Sequence, residues 1–314
     1  MVIRVGIAGL SEGNGHPFSF AAIINGYSDT EFAEAGWPVI LQYLRSAPSG
    51  QDGIPVAQVT HAWTQDASMT EMLCAATKIE NRSTNLIDMI EEIDALIIAR
   101  DDWEEHLKMA KPFLDKGIPV FVDKPLTLSE SELSYFLPFI EAGKLMSCSG
   151  FRYASELANL NEIQLEIGEI KLISGTVVKD LAKYGIHMLE AISQFEGTLG
   201  EKFIVTRNFS DHESFSFKFD SGISFNLDCI GEVSKVFHLS VYGKESTKHF
   251  DLVDNFSAFK ATLERFFEMV ITGEPAFDPQ ETVQLMRLLI AAQNLTKGES
   301  KHLDLSHSKI LGGS

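Results

Sequence analysis

The sequence predicts an α/β fold class in which a doubly wound parallel sheet is followed by an α+β domain with a broad, mostly antiparallel open sheet. In residues 1–125, short apolar runs alternate with helical patterns, as in parallel strands joined by crossover helices. A glycine-rich turn follows the first apolar run, and beyond residue 151 the apolar residues change to a period of two. We therefore expect a first domain over residues 1–125, with 144–150 as a candidate last strand, and a second domain over 126–314.

The first domain begins with a predicted strand at Ile3–Ala8, directly before the glycines. The other predicted strands are Val56–Trp63, Ala95–Ala99 and Pro119–Val122. The predicted helices are Phe18–Ile24, Ala67–Ala76, Thr84–Glu91 and Trp103–Asp115. The segment Tyr27–Pro55 is too long for a simple connection, and its stretch "AEAGWPVILQYLRSAP" predicts an extra helix.

The second domain begins with a predicted helix at Ala154–Glu166. Segments such as "SFSFKFD" and "VFHLSVYG" then alternate apolar and polar residues, which predicts an antiparallel meander. Helices are predicted at Ser257–Ile271 and Gln280–Leu295. Because a broad sheet face can bury against a copy of itself, we expect a homo-oligomer, a dimer or a tetramer.

Composition argues against several classes of partner. The 314 residues carry a formal net charge of −18, and an acidic surface repels both nucleic acid and anionic membranes. The longest apolar runs, such as "ALIIA" at 95–99, are too short to span a bilayer. Cys74, Cys148 and Cys229 form no C-x-x-C pair, so we expect reduced thiols in a cytoplasmic protein. The nine histidines include no H-x-x-x-H pair, so no metal site is expected.

The first motif is the turn "GIAGLSEGNGHPFSFAAI", which begins at residue 6. The dinucleotide fingerprint G-x-G-x-x-G needs glycines at 9, 11 and 14, but these positions hold Gly9, Ser11 and Asn14. Gly13 and Gly15 are displaced by one residue. This sequence is equally compatible with a phosphate-binding turn and with a turn that has only a structural role.

The second motif is "GIPVFVDKPLTLS" at 117–129, where Asp123-Lys124-Pro125 follows a strand at once. A lysine at the carboxyl end of a parallel strand faces the crevice where ligands bind in this fold. There Lys124 is able to move a proton in catalysis. The alternative is a solvated lysine in a surface turn.

The third motif is "KDLAKYGIHMLEAI" at 179–192, in which His187 and Glu190 share one helix face. His187 is a candidate acid/base residue, and the alternative is a histidine that serves only the packing of the fold.

In this order the three motifs resemble the Gfo/Idh/MocA family, the glucose–fructose oxidoreductase and inositol dehydrogenase group. That family carries a [D/E]-K-P turn after a Rossmann strand and a D-x-G-x-H-x-x-D segment in its second domain. The resemblance continues through "RDDWEEHLKMAKPFLDKG" and "ERFFEMVITGEPAFDPQETVQLMRLLIAAQ", while Tyr27–Pro55 has no obvious counterpart.

The resemblance implies a Rossmann dinucleotide-binding domain, a second domain for substrate binding and oligomerisation, and NAD or NADP as cofactor. Hydride would pass between the nicotinamide and a hydroxyl or keto carbon of a sugar-like or polyol substrate. Lys124 would hydrogen-bond the reacting oxygen, and His187 would act as acid/base or orient that oxygen. The implied cofactor-binding residues are Gly9, Ser11, Gly13, Asn14, Thr64, Asp66, Arg100, Trp103, His106 and Asp123. The implied substrate-binding residues are Arg152, Asp180, Lys183 and Tyr184.

Three positions depart from the family pattern. Lys183 stands where the family has aspartate four residues before the histidine, which suggests a substrate that carries a carboxylate or a phosphate. After the second strand, Thr64 occupies the position expected to hold the acid for the ribose and Asp66 follows, which leaves NAD and NADP both open. Arg100-Asp101 replaces Thr-Pro.

Two other functions remain compatible with the sequence. One is glycoside cleavage assisted by a bound cofactor, and the other is a non-catalytic sensor or scaffold that keeps the fold. The enzymatic interpretation requires Lys124 and His187, from separate domains, to converge on one cleft.

Overall fold

The computed structural model describes residues 2–47, 53–195, 202–208, 212–219, 221–295 and 302–304. The chain divides into two compact units, of which the first is Met1–Tyr153 with Asp254–Pro279 and the second is Ala154–Val253 with Gln280–Ser314. The first unit extends past residue 125 because its sheet is completed by a later strand, and it also includes a helix from late in the chain.

The strands, in chain order, are β1 (Ile3–Ala8), β2 (Ala57–Trp63), β3 (Asn81–Arg82), β4 (Ala95–Ile98), β5 (Val120–Val122), β6 (Leu145–Met146), β7 (Ile170–Val177), β8 (Lys202–Asn208), β9 (Glu213–Lys218), β10 (Ser224–Cys229), β11 (Phe237–Gly243), β12 (Thr247–Asp251) and β13 (His302–Asp304). The α-helices are α1 (His16–Asn25), α2 (Asp29–Glu34), α3 (Pro38–Arg45), α4 (Ala67–Thr77), α5 (His106–Leu114), α6 (Glu130–Glu141), α7 (Leu160–Ile167), α8 (Ile186–Ile192), α9 (Asn255–Thr272) and α10 (Pro279–Leu295).

The first unit contains a six-stranded sheet in the order β3-β2-β1-β4-β5-β6, and its strand pairs are all parallel. This is the order of doubly wound dinucleotide-binding domains, and it reverses between β1 and β4. Leu96 and Ile97 point to opposite faces of the sheet and are both fully buried, so both faces are covered. The predicted α/β fold class is confirmed, including a last strand within 144–150.

One predicted helix of the first unit is wrong. Of the stretch Thr84–Glu91, only Leu86–Met89 forms a short 3-10 turn, which a capping box at Asn85 begins. The main-chain bonds that follow are of the i→i+3 type, from the Ile90 amide to the Ile87 carbonyl and from the Glu92 amide to the Met89 carbonyl. The segment therefore closes as successive tight turns and not as an α-helix.

The segment Tyr27–Pro55 holds two helices, α2 and α3, where the sequence predicted one. They are joined through Gly36, whose φ of +81° is accessible to glycine without strain. Ile40, Leu41 and Leu44 of α3 are buried, and they form the face with which this helix packs into the core of the first unit.

The second unit contains a seven-stranded sheet in the order β12-β11-β7-β10-β9-β8-β13. The described pairs are antiparallel except β7 with β10, which are parallel. The mostly antiparallel sheet is therefore confirmed, but a simple meander is wrong because β7 inserts between β10 and β11. The predicted helix Ala154–Glu166 is a 3-10 turn at Ser155–Leu157 followed by α7.

Candidate active site

The glycine turn follows β1 at the point where the strand order reverses. Gly9 has a φ of +87°, and a Cβ there would lie 2.7 Å from Cδ of Arg100, so the position requires glycine. The Asn14 amide donates to the Ser11 carbonyl across 3.1 Å, which closes a β-turn with Gly13 at its third position. The φ of +73° at Gly13 suits a type II turn.

Ser11 and Asn14 point inward and fasten this turn to two neighbouring strand ends. The Ser11 hydroxyl donates to Oδ1 of Asp101, after β4, across 2.7 Å. The Asn14 amide nitrogen donates to Oδ2 of Asp123, after β5, across 3.1 Å. Neither side chain is more than 9% exposed. The two residues that break the glycine fingerprint are thus polar ties between the turn and the sheet.

Asp123 is 2% exposed and accepts hydrogen bonds on both carboxylate oxygens. Oδ1 accepts from the Lys124 main-chain amide across 2.9 Å, and Oδ2 lies 2.6 Å from Nδ1 of His16. Burial alone would raise the pKa of Asp123, but His16, Lys124 and Asn14 together outweigh it and hold that pKa well below its usual range.

Lys124 lies beside the glycine turn with its side chain buried. It is 4% exposed, and its Nζ is 3.7 Å from Oδ2 of Asp101. The peptide between Lys124 and Pro125 is cis. Together Ser11, Asn14, His16, Asp101, Asp123 and Lys124 form a connected group of polar side chains, which we call the turn cluster.

The residues expected to bind the ribose lie after β2. Thr64 is 4% exposed, and its hydroxyl donates to the Asp66 carbonyl. Asp66 caps α4, because its Oδ1 accepts from the amides of Ser68 and Met69. Its second carboxylate oxygen makes no hydrogen bond within the described part of the chain, and the residue is exposed.

Gln65, between these two residues, was not identified from the sequence. The Leu10 amide donates to its Oε1 across 3.2 Å, and its Nε2 donates to the Leu10 carbonyl. Gln65 thereby holds the glycine turn from the β2 side. No local pattern marks it, since its partner is 55 residues away.

Of the residues after β4, His106 has a supporting role. It is fully buried, with Nδ1 2.9 Å from the Leu126 carbonyl and Nε2 2.7 Å from the Arg100 carbonyl. His106 thus bridges the main chain after β4 and the main chain after β5, and its assignment to the cofactor stays a prediction. Arg100 donates from Nε to Oδ1 of Asp102 across 2.6 Å, and that bond raises the pKa of Arg100. Trp103 opens the 3-10 turn that precedes α5.

Arg152 belongs to the first unit, whereas the sequence analysis grouped it with residues of the second domain. It is 3% exposed, and its guanidinium lies 4.0 Å from the ring centre of Phe277. A buried cation stacked on an aromatic ring serves the packing of this unit.

In the second unit, a π-helical turn at Leu181–Gly185 leads directly into α8. Asp180 caps it, accepting from the Lys183 amide across 2.9 Å. A Cβ on Gly185 would lie 2.5 Å from Cδ1 of Leu181, so glycine allows this tight turn to close. Single π-turns occur preferentially at functional sites.

His187 is 9% exposed and packs against an aromatic pair, Tyr184 and Phe237. The His187 ring centre lies 5.6 Å from that of Tyr184 and 5.4 Å from that of Phe237. The two aromatic rings stack at 6.1 Å. The sequence did not identify Phe237, which is in β11.

Two lysines lie close to the aromatic pair, one over each ring. Nζ of Lys179 lies 4.9 Å from the ring centre of Tyr184, and Nζ of Lys235 lies 5.6 Å from that of Phe237. Lys179 has a φ of +59°, which is uncommon for a residue with a side chain. Its amide donates to the Gly231 carbonyl, which ties it to the loop that carries Lys235. Burial lowers the pKa of Lys235.

The site residues therefore form two groups, one in each unit. Within the described residues, no cluster of three or more histidine, cysteine, aspartate or glutamate side chains is arranged to hold a metal ion. No described helix is both long and apolar enough to cross a membrane.

The turn cluster fits a dinucleotide pyrophosphate. Gly13 is exposed, and a Cβ there would meet no atom within 4 Å, so a ligand has access to the backbone. The first turn of α1 carries no acidic residue, and the two buried carboxylates are bonded to Ser11, Asn14 and His16. An anion at this helix N-terminus would therefore meet donors and a favourable dipole.

Strand order and the turn at the reversal point define a dinucleotide-binding Rossmann domain. Residues 36–141 match the sequence profile of the Gfo/Idh/MocA family, described as an oxidoreductase family with an NAD-binding Rossmann fold. This part of the first unit is thus similar to the family's NAD-binding domain, and the resemblance and the nicotinamide dinucleotide cofactor, both predicted from the motifs, are supported. The match includes part of Tyr27–Pro55 and excludes the glycine turn.

Solved structures of the same fold match most of the chain, from 94% to 97% of it in three examples. A myo-inositol 2-dehydrogenase from Lactobacillus plantarum is 17% identical with a TM-score of 0.76, covering 97% of this chain and 100% of that one. A scyllo-inositol dehydrogenase from Lactobacillus casei, with bound NAD(H) and scyllo-inositol, is 15% identical with a TM-score of 0.70, covering 96% and 99%. A UDP-N-acetylglucosamine 3-dehydrogenase from Acidithiobacillus ferrooxidans is 14% identical with a TM-score of 0.67, covering 94% and 97%. No curated protein matches the sequence.

Proposed function

We propose that the protein is a nicotinamide-dependent dehydrogenase or reductase that acts on a CH–OH group of a sugar-like or polyol substrate. The observation that carries this proposal is the buried Lys124 beside the glycine turn, at the carboxyl end of β5. The structural neighbours act on inositols and on a nucleotide sugar, which supports the substrate class. Because those neighbours are dehydrogenases, they favour neither cofactor-assisted glycoside cleavage nor a sensor or scaffold.

The cofactor would be held by the turn and by the residues after β2. Gly13 would give the pyrophosphate access to the backbone, Gly9 makes room for the Arg100 side chain, and Ser11 and Asn14 hold the turn from its buried side. The free carboxylate oxygen of Asp66 is available to the ribose hydroxyls. A carboxylate there repels a 2′-phosphate, so we propose NAD rather than NADP.

Lys124 and His187 would handle the substrate oxygen. Bound NAD supplies the hydride acceptor or donor at the substrate carbon. The Lys124 ammonium would hydrogen-bond the reacting oxygen and take up or return its proton. His187, held by Tyr184 and Phe237, would orient the same oxygen.

The lysines around the aromatic pair support a substrate that carries an anionic group. Lys179 and Lys235 lie over the two aromatic rings that contact His187, and Lys183 is four residues before His187 in the sequence. These three lysines stand together although the chain as a whole has a net charge of −18. Aromatic rings bind the apolar face of a sugar, and an ammonium binds its carboxylate or phosphate. We therefore propose a sugar acid or a sugar phosphate as substrate.

The test compares Lys124→Met with Lys108→Met, a substitution of an exposed lysine on α5. Formation of NADH is measured with polyols, sugar acids and sugar phosphates, and thermal shifts are measured with NAD, NADH, NADP and NADPH. We expect Lys124→Met to lower kcat by about 100-fold or more and to keep the thermal shift with NADH. Equal turnover in both variants would exclude Lys124 from the reaction. No thermal shift with any of the four nucleotides would overturn the proposed cofactor.

A further inference from the structure

His16 is a partly buried titratable residue to which the proposed chemistry assigns no task. It is the first residue of α1, and its side chain is 19% exposed. The ring stacks on Phe20 with centres 5.0 Å apart and meets the edge of Phe259 at 5.1 Å. This packing directs Nδ1 to Oδ2 of Asp123 at 2.6 Å.

Asp123 connects His16 to the backbone of Lys124. One carboxylate oxygen is held by His16 and Asn14, while the other accepts the Lys124 main-chain amide across 2.9 Å. The carboxylate thus bridges the start of α1 and the residue that would meet the substrate. Any change in its position or charge passes directly to the main chain at Lys124.

We propose that His16 is a positioning residue that acts through Asp123 to fix Lys124 in its reactive place. This role rests on the proposed function of Lys124. A carboxylate that is 2% exposed stays ionised only while donors surround it. Without His16 it would be held by Asn14 and Lys124 alone, and burial would favour the neutral acid.

Among the residues that the structure describes, His16 and Lys124 are the charged groups that lower the pKa of Asp123. His16 faces it from α1 and Lys124 from its own turn, while Asn14 contributes a neutral amide from the glycine turn. The Lys124 ammonium also faces Asp101, across 3.7 Å. A neutral Asp123 accepts fewer hydrogen bonds than an ionised one, so the bond to the Lys124 amide is the one we expect to weaken.

Two variants separate the effect of the hydrogen-bond donor of His16 from the effect of its aromatic ring. His16→Phe keeps an aromatic ring against Phe20 and Phe259 but has no donor for Asp123. His16→Asn loses the ring but places an amide nitrogen close to the position of Nδ1. Phe20→Leu is the control, because it disturbs the same packing and leaves the Asp123 contacts in place.

Three readouts are used, and two of them need no cofactor. Carboxyl NMR follows the titration of Asp123, and hydrogen exchange follows the Lys124 amide. In His16→Phe we expect Asp123 to titrate at higher pH and the Lys124 amide to exchange about tenfold faster, the effect of one lost hydrogen bond. His16→Asn is expected to restore both, and Phe20→Leu to change neither.

The third readout is turnover with NAD. In His16→Phe we expect kcat to fall by about 10- to 100-fold with KM for NAD little changed, and the acid limb of the pH profile to move to higher pH. An unchanged Asp123 titration and Lys124 exchange in His16→Phe would overturn the proposal, as would His16→Asn behaving like His16→Phe. If those two readouts change as expected but no variant and no wild-type protein turns over NAD, the proposed function fails and the link from His16 to Lys124 stands.

Discussion

Ser11 and Asp101 exchange two hydrogen bonds between the turn after β1 and the end of β4. The Ser11 hydroxyl donates to the Asp101 carboxylate across 2.7 Å, and the Asp101 amide donates back to the same hydroxyl across 3.2 Å. Asp101 also lies 3.7 Å from Nζ of Lys124. One hydroxyl therefore ties the proposed pyrophosphate turn to the carboxylate beside the proposed catalytic lysine.

Substituting Ser11→Gly restores the second glycine of the dinucleotide fingerprint, yet we expect it to destabilise the protein. The buried Asp101 carboxylate would lose a donor, which costs about 1–3 kcal/mol in the free energy of unfolding. Denaturant unfolding measures the loss. Ser11→Thr keeps a hydroxyl and serves as the matched control. A glycine variant as stable as wild type would show that the tie contributes nothing.

Gly15 and Gly13 are expected to respond to alanine in different ways. A Cβ on Gly15 would lie 2.4 Å from Cδ1 of Ile40 and 2.7 Å from Cε3 of Trp37. Gly15→Ala should therefore overpack this contact with α3 and cost about 1–3 kcal/mol of stability. A Cβ on Gly13 meets no atom, so Gly13→Ala should cost about 1–2 kcal/mol through its positive φ alone and weaken NADH binding by blocking the turn. Unfolding and NADH fluorescence titrations measure the two effects, and equally weakened NADH binding in both variants would contradict the assignment.

Asp123 should stabilise the protein in a pH-dependent manner. Its pKa in the folded protein lies below the value of about 3.9 in an unfolded chain, so the unfolded chain binds its proton first as the pH falls. The stabilisation is therefore present above about pH 4 and is lost as the pH falls toward the folded pKa. Asp123→Asn is expected to cost about 3 kcal/mol at pH 7 and progressively less toward pH 3. A difference in unfolding free energy that is the same at both pH values would contradict this.

Lys235 should matter for an anionic substrate and not for a neutral one. Lys235→Ala is expected to raise KM for the preferred sugar acid or sugar phosphate by about tenfold and to leave KM for a neutral polyol unchanged. Lys244→Ala is the control, because that lysine is exposed and paired with Glu169. Steady-state kinetics at two salt concentrations measure the effect, which should shrink at high salt. Equal changes for charged and neutral substrates would count against an anionic subsite.

The sequence was sufficient for the central strands of the first unit's sheet, because β1, β4 and β5 are compact apolar runs. The four longest strands of that sheet and the helix after the first turn lie where the apolar patterns predicted them. Asp123 and Lys124 follow β5 as expected, since a residue's place at a strand end is a local property. The parallel pairing of β7 with β10 was not predictable in this way, because alternation gives the face of a strand but not its neighbour.

Local sequence patterns could not predict the hydrogen bonds that shape the site, because the partners are far apart in the sequence. Asn14 and Asp123 are 109 residues apart, and Ser11 and Asp101 are 90 apart. Read by themselves, the turn residues departed from a fingerprint. Only the fold shows that each departure provides a hydrogen bond to a buried carboxylate. His16 stands in the quoted turn motif, but no sequence pattern indicated that its ring contacts Asp123, 107 residues away.

The inward-facing Ser11 and Asn14 also bear on how relatives of this chain are to be found. A pattern of three turn glycines does not describe proteins in which polar residues that bond to the sheet replace two of them. A better diagnostic is the combination Ser-x-x-Asn-Gly-His after the first strand and Asp-Lys-Pro after the fifth. We expect proteins whose sequences contain both motifs to have the same hydrogen-bonded turn, even where their overall sequence identity to this chain is low.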